Sequence, residues 1–237
     1  MEDKILKKLL FVMVALFVLL PVTAPHASVL YFSDGDAGTN VFPTAITNVY
    51  GTFTTAASAV DFNSNLLSYN VAVLLLQNLT YNATDFSNIT PFINSGGKII
   101  FTYWQTGSTP SSFSPYLNYT YTGDVNDTQV NVFAPFNTGI TNPIDLYNPG
   151  WGIFSMGLNG MTQGAQFSNG DTAIAYSSQV IVNGFLGDVF DDYDVGVQLA
   201  MNELNYLATP VPEPGTMLLL SSGLAGLAGF RRRLFRK

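Results

Sequence analysis

Cysteine is absent from this chain, and there is a single histidine, His26. The first absence excludes disulfides, thiolate metal sites and cysteine nucleophiles. The second leaves no imidazole beyond the N-terminal segment, so histidine triads and histidine metal clusters are excluded from the rest. Basic residues are nearly as scarce there. Lys4, Lys7 and Lys8 stand at the front and Arg231, Arg232, Arg233, Arg236 and Lys237 at the back; the stretch between keeps only Lys98. That stretch carries thirteen acids, a net charge of −12, which the whole-chain value of −7 conceals. So acidic a body repels nucleic acid and phosphate-rich ligands, and no phosphate loop or dinucleotide fingerprint is present. Carboxylates, hydroxyls and one lysine are the chemistry that remains.

Both ends read as address segments. Basic Lys4 to Lys8 precede an apolar run, 9–20, then Pro21, Thr23 and the small residues Ala24 and Ala27. This basic, apolar, small-residue order is that of a secretory signal peptide over residues 1–27, cut after Ala24 or Ala27. The apolar run has 12 residues, short of the roughly 20 that a spanning helix needs. At the far end Val211, Pro212, Glu213, Pro214 and Gly215 lead into an apolar stretch, 217–230, closed by the arginine cluster. As a helix, those 14 residues would extend about 21 Å, marginal for a crossing. The arginines would stay on the cytoplasmic side. Residues 28–209 between the two ends suit one domain of ordinary size.

The tail, 211–237, resembles a PEP-CTERM sorting signal: Pro212, Glu213 and Pro214 form the motif, a short transmembrane stretch follows, and Arg231, Arg232 and Arg233 head the terminal cluster. The resemblance implies a bacterial exported protein, carried by the secretion machinery, held transiently at the inner membrane and processed by an exosortase-type membrane protease. Its destination would be the cell envelope or the extracellular space. It also implies an association with exopolysaccharide and biofilm, and so extracellular polysaccharide as a partner.

Within the body, the pattern alternates strand and helix. Strands are expected at 28–32, 52–56, 71–76 and 98–104, and helices at 41–50, 61–69 and from Thr84 to Ile93. The continuous apolar run 71–76 suits a strand buried on both faces of a parallel sheet. Asn40 or Thr39 would cap the first helix, with Pro43 in its first turn. Leu66 and Leu67 would point inward from the second. Residues 105–165 read as loops with short strands, one at 129–133. Two strands, 172–176 and 179–183, and a helix, 195–207, close the domain. This rhythm predicts an α/β three-layer sandwich with a mostly parallel sheet. The order of the pieces resembles the class I glutamine amidotransferase-like fold, flavodoxin-like in its first half, with Gly96-Gly97 ending a helix before the strand that leads to the active-site turn.

That resemblance implies a nucleophile after residues 98–104. The sequence there, Phe101 to Ser108, has no cysteine and no Gly-x-Ser-x-Gly elbow, and no histidine is at hand to act as base. Thr102 or Ser108 would have to rely on Lys98. A noncatalytic relative is therefore expected, with no cofactor. Alternatives rest on other residues. Asp34 and Asp36 flank Gly35 after the first strand, where open α/β sheets bind ligands, and Asp188, Asp191, Asp192 and Asp194 form a second acidic cluster. Either could hold calcium, or serve only as solvated and helix-capping acids. Tyr103, Trp104 and Trp151 could stack on sugars in a carbohydrate-binding module, or plug the core's edges. A carboxylate-dependent glycan hydrolase is the third alternative, because its acid pair is set by distance in space. Five Asn-x-Thr triplets, beginning at Asn78, Asn82, Asn88, Asn118 and Asn126, reflect the Asn- and Thr-rich composition.

Overall fold

The computed structural model describes residues 28–35, 38–77, 81–103, 109–147 and 153–208. The two terminal segments, with Pro212, Glu213, Pro214, Arg231, Arg232 and Arg233, lie outside the described residues, as do Asp36, Trp104, Ser108 and Trp151.

Strand β1 (Val29–Ser33) opens the chain and is buried along nearly its whole length. Helix α1 (Phe42–Tyr50) follows, with Pro43 in its first turn. Its N-cap is Val41, but the Asn40 side chain still accepts a hydrogen bond from the Phe42 N–H at 3.0 Å. Strand β2 is only Thr54–Thr55. Helix α2 (Ala59–Asn65) is capped by Ser58, whose hydroxyl accepts from the Asp61 N–H at 3.1 Å, while the Asp61 carboxylate accepts from the Ala57 N–H. A 3-10 turn over Leu66–Ser68 ends this segment. It buries Leu66 and leaves Leu67 half exposed, so the expectation that both leucines point inward is corrected: side chains one residue apart in a helical turn cannot share a face.

Strand β3 (Val71–Leu76) is buried at every position, as its unbroken apolar run requires. A 3-10 turn over Ala83–Phe86 is capped by Asn82 rather than by Thr84, through a reciprocal capping box with Asp85. The helical stretch expected from Thr84 to Ile93 divides here, and α3 spans only Ile89–Asn94. Strand β4 (Lys98–Tyr103) starts where Gly97 lets the chain pass beneath Phe92; a Cβ there would sit 2.4 Å from the ring.

Residues 105–165 hold more structure than their composition suggests. Helix α4 (Thr109–Leu117) is followed by strands β5 (Thr120–Asp124), β6 (Gln129–Val132), β7 (Ile144–Asp145), β8 (Phe154–Gly157) and β9 (Thr162–Phe167). The chain closes with β10 (Thr172–Tyr176), β11 (Val180–Asn183) and α5 (Tyr193–Ala208).

The main sheet runs in the order β2-β1-β3-β4-β11-β10-β9-β6-β7, and β5 pairs with β8 in a separate two-stranded sheet. Strands β2, β1, β3, β4 and β11 are mutually parallel. The other four join antiparallel. The sheet is therefore mixed: the parallel part is as expected, and the antiparallel half combines β6 and β10, both expected as strands, with β7 and β9, which arise in or at the end of the region read as loop. The three layers are clear. One face of the sheet packs under α1 and α5, through Phe42, Ile46, Leu199 and Leu204. The other packs under α2, α3, α4 and the small sheet, through Phe62, Phe92, Phe113 and Phe154. Each fully buried phenylalanine contributes about 1.5–3 kcal/mol, so the second layer is held largely by aromatic rings.

Candidate functional site

In the parallel half the connections from β1 lead to opposite sides, first to β2 and then back past β1 to β3. Open sheets of this kind form a crevice at such a reversal, outside the carboxyl ends of the strands. Here the crevice is bridged from within. The Asp34 N–H donates to the Leu75 carbonyl at 3.4 Å, and the Asp34 carboxylate accepts from the Gln77 N–H. The residue after β1 thus ties itself to the end of β3.

The neighbouring loops are tied in the same way. Asp188, in the loop after β11, accepts from the Gly38 N–H at 2.8 Å, and the Val41 N–H donates to the Gly187 carbonyl at 2.9 Å. Gly38 is required at this contact, because a Cβ would lie 2.6 Å from the Asp188 carbonyl oxygen. The structure therefore brings the two acidic clusters of the sequence, at Asp34 and at Asp188, to one end of the sheet. In the second cluster Asp192 caps α5, accepting from the N–H groups of Asp194 at 3.0 Å and Val195 at 3.3 Å. Asp191, Asp192 and Asp194 are exposed. Among the described residues no three acids converge in a way that could hold a metal ion.

The hydroxyl and the lysine considered for catalysis are separated. Thr102 is fully buried, and its hydroxyl donates to the Phe185 carbonyl at 2.6 Å. Lys98 begins the same strand, four residues away along an extended chain, or roughly 13 Å. Its ammonium donates instead to the Leu207 carbonyl in the last turn of α5. Tyr103 is also fully buried: its ring stacks on Phe101 at 6.3 Å between centroids and lies 5.7 Å from Phe113. As placed, it offers no open face to a sugar, which corrects its reading as a stacking residue; the apolar neighbours on either side of β4 account for its burial.

Sequence reasoning missed the most unusual polar pair in the body. Glu203 on α5 is 1% exposed and accepts from the Asn183 side-chain N–H at 3.1 Å. Its other oxygen, Oε1, and Asn183 Oδ1 have no donor. Burial pushes the Glu203 carboxyl up to about 8, opposed by the Asn183 bond. The pair lines a crevice with Phe42, Phe185, Leu186 and Phe190 that is too tight to admit a water molecule. A carboxylic acid, rather than a carboxylate, supplies the missing donor. The signal was available: Glu203 sits one turn from Leu199 and Leu207, on the apolar stripe of its helix, and Asn183 ends an otherwise apolar strand.

Residues 210–233 match the PEP-CTERM protein-sorting motif. No curated protein sequence matches the chain. Among solved structures, the mmIFT52 N-terminal domain is similar at 9% identity and a TM-score of 0.55, over 78% of this chain and 99% of that one. A protein from Thermoplasma acidophilum, named as one of the subunits of a GMP synthase, is similar at 12% identity and a TM-score of 0.52, over 77% of this chain and 95% of that one. At such identities the likeness extends to the fold alone: a layered α/β body similar in architecture to these structures, followed in this chain by a match to the PEP-CTERM protein-sorting motif.

Proposed function

We propose that this chain is a noncatalytic extracytoplasmic protein, delivered to the cell envelope or its exopolysaccharide matrix by its C-terminal sorting signal. The observation that carries this reading is the match of residues 210–233 to the sorting motif, behind a body without cysteine or, past His26, histidine. The separation of Thr102 from Lys98 and the commitment of both to backbone carbonyls support the noncatalytic half. An exosortase-type protease is the implied processing partner, and the N-terminal segment supports export.

The test follows the full-length chain, tagged in its body, in a bacterial host with and without an exosortase. With the protease, a shortened product is expected outside the inner membrane. Without it, or with Pro212, Glu213 and Pro214 all changed to alanine, the uncut chain should accumulate at the membrane. Equal processing of the variant would overturn the sorting role. Hydrolysis of amide, ester or glycoside substrates by the purified protein, lost on Thr102→Ala or Ser108→Ala, would overturn the noncatalytic role.

A further inference from the structure

The body has two unlike ends. The starts of β1, β3, β4 and β11 lie side by side, since Val29 pairs with Val71, Val71 with Lys98, and Ile99 with Val180. Polar groups clamp this row. Ser28 accepts from the Asn70 and Val71 N–H groups, the Lys98 N–H donates to Asn70, and the Ile99 N–H donates to Gln179. The Gln179 side chain donates to the Ile93 and Gly97 carbonyls. The last turn of α5 joins the same row through Lys98 and Leu207. Residue 28 and residue 208 thus mark two exits, one toward the N-terminal segment and one toward the sorting motif, at one edge of the sheet.

Carboxylates gather at the opposite edge. Asp34 follows β1, and Asp188 to Asp194 follow β11. Asp145 ends β7, and its carbonyl accepts from the Asp191 N–H at 3.2 Å. Asp171 lies in the β9–β10 turn, and Asp127 accepts from Asn169 in that turn at 3.1 Å. Asp124 pairs with Phe154, whose N–H donates to Gly184 just past β11. Asp61 and Asp85 stand in the first turns of segments that follow parallel strands, which start at this same edge. Glu203 is interior. Among the described residues, the edge carrying both exits bears Lys98 and no carboxylate, and it exposes Leu67.

We infer that this acid-free edge is the surface that rests against the lipid headgroups while the chain is tethered, and that the aspartate-rich edge points away from the membrane. This rests on the reading of the tail as a sorting signal. Chain length decides it. Eight residues separate Ala208 from Met217, the first of the apolar stretch, and fully extended they reach at most about 30 Å. A body of this size is about 40 Å across. The spacer cannot carry the far edge round to the membrane. Charge acts in the same direction, because anionic headgroups repel a carboxylate-bearing surface within a Debye length of about 10 Å. The edge left free to meet matrix or partner molecules is then the one formed by the Asp34 and Asp188 loops.

The absence of cysteine makes the test clean. Full-length chain is reconstituted into phosphatidylcholine vesicles with one quarter phosphatidylglycerol. A single fluorophore is attached to Ser68→Cys, beside Leu67, or to Asp191→Cys; both positions are exposed. Quenching by a headgroup-linked quencher is expected to be at least threefold stronger at position 68. Equal or reversed quenching overturns the orientation. Failure of the chain to float with the vesicles overturns instead the tail reading beneath it. In neutral phosphatidylcholine vesicles, inserting twenty Gly/Ser residues after Ala208 should bring the two positions level; a difference that persists there would overturn the role of the spacer. Self-quenching at position 68 that vanishes in protein-poor vesicles would assign the edge to a second copy and overturn the lipid contact.

Discussion

Glu203 shows what one buried carboxyl does to a small α/β body. As a carboxylate it would leave two acceptors, its own Oε1 and Asn183 Oδ1, without a donor in a water-free crevice. As an acid it carries the proton that either of them needs. The residues lining the crevice bring no second titratable group. Its folded-state value, about 8, lies above its ordinary 4.5. Between those values the folded chain holds a proton that the unfolded chain has released. The contribution to stability is therefore complete below the lower value, declines as pH rises through the window, and levels off above it. Glu203→Gln keeps the shape and provides both an amide donor and an acceptor for Asn183. Urea denaturation should show the stability of the variant gaining on the parent by about 1 kcal/mol or more between pH 5 and pH 8. A difference that stays constant with pH would mean that Glu203 is ionised in the folded state.

Elements meet in this fold at a few positions where only one residue type fits. Gly184, just past β11, donates to the Ala173 carbonyl and accepts from the Phe154 N–H, both at 2.8 Å, and so joins the small sheet to the large one. A Cβ there would lie 2.0 Å from the Phe154 carbonyl oxygen. Gly184→Ala should cost about 1–3 kcal/mol in chemical denaturation, because relief requires breaking that backbone pairing. A loss of only a few tenths would show that the two sheets move freely. Lys98, whose ammonium burial holds below its ordinary value, joins β4 to the last turn of α5. Lys98→Met should cost about 1 kcal/mol and lower protection of the final amides of α5 in hydrogen exchange, whereas Lys98→Arg should retain most of both. Unchanged exchange in the methionine variant would dismiss the cap. These junctions also show what could be read in advance. The apolar run 71–76 and the Gly96-Gly97 stop carry their structure in local sequence. Helix α4 has prolines at positions 110 and 115, and β5 alternates half-buried with exposed residues, so neither signals its class without the partner it packs on. The same limit hid Asn183 and Glu203, which come together only when β11 meets α5. Asp34 and Asp188 could be named as acids at strand ends, but not as the ties that close the crevice.

At the scale of the whole molecule, a net charge of −12 on the body lies mostly toward one edge of the sheet, with loop-to-loop hydrogen bonds holding the carboxylates near one another. Their mutual repulsion is partly offset locally, as at Asp127, whose carboxyl is held below the usual range by hydrogen bonds from Ser168, Gln129 and Asn169 against the opposing effect of burial. The rest is a cost that salt can screen. Raising sodium chloride from about 10 mM to 500 mM reduces the Debye length from about 30 Å to roughly 4 Å. The melting temperature of the purified protein should rise by a few degrees over that range and then flatten. Calcium and magnesium distinguish screening from a site. If the aspartates act only as a diffuse field, the two ions should stabilise equally at matched concentration, with no effect at micromolar levels. If Asp34 and the Asp188 loop coordinate calcium specifically, calcium alone should stabilise from micromolar concentrations, with a gain that grows as the logarithm of its concentration. The loop ties favour the first outcome, because one oxygen of Asp34 and one of Asp188 already accept from the backbone N–H groups of Gln77 and Gly38.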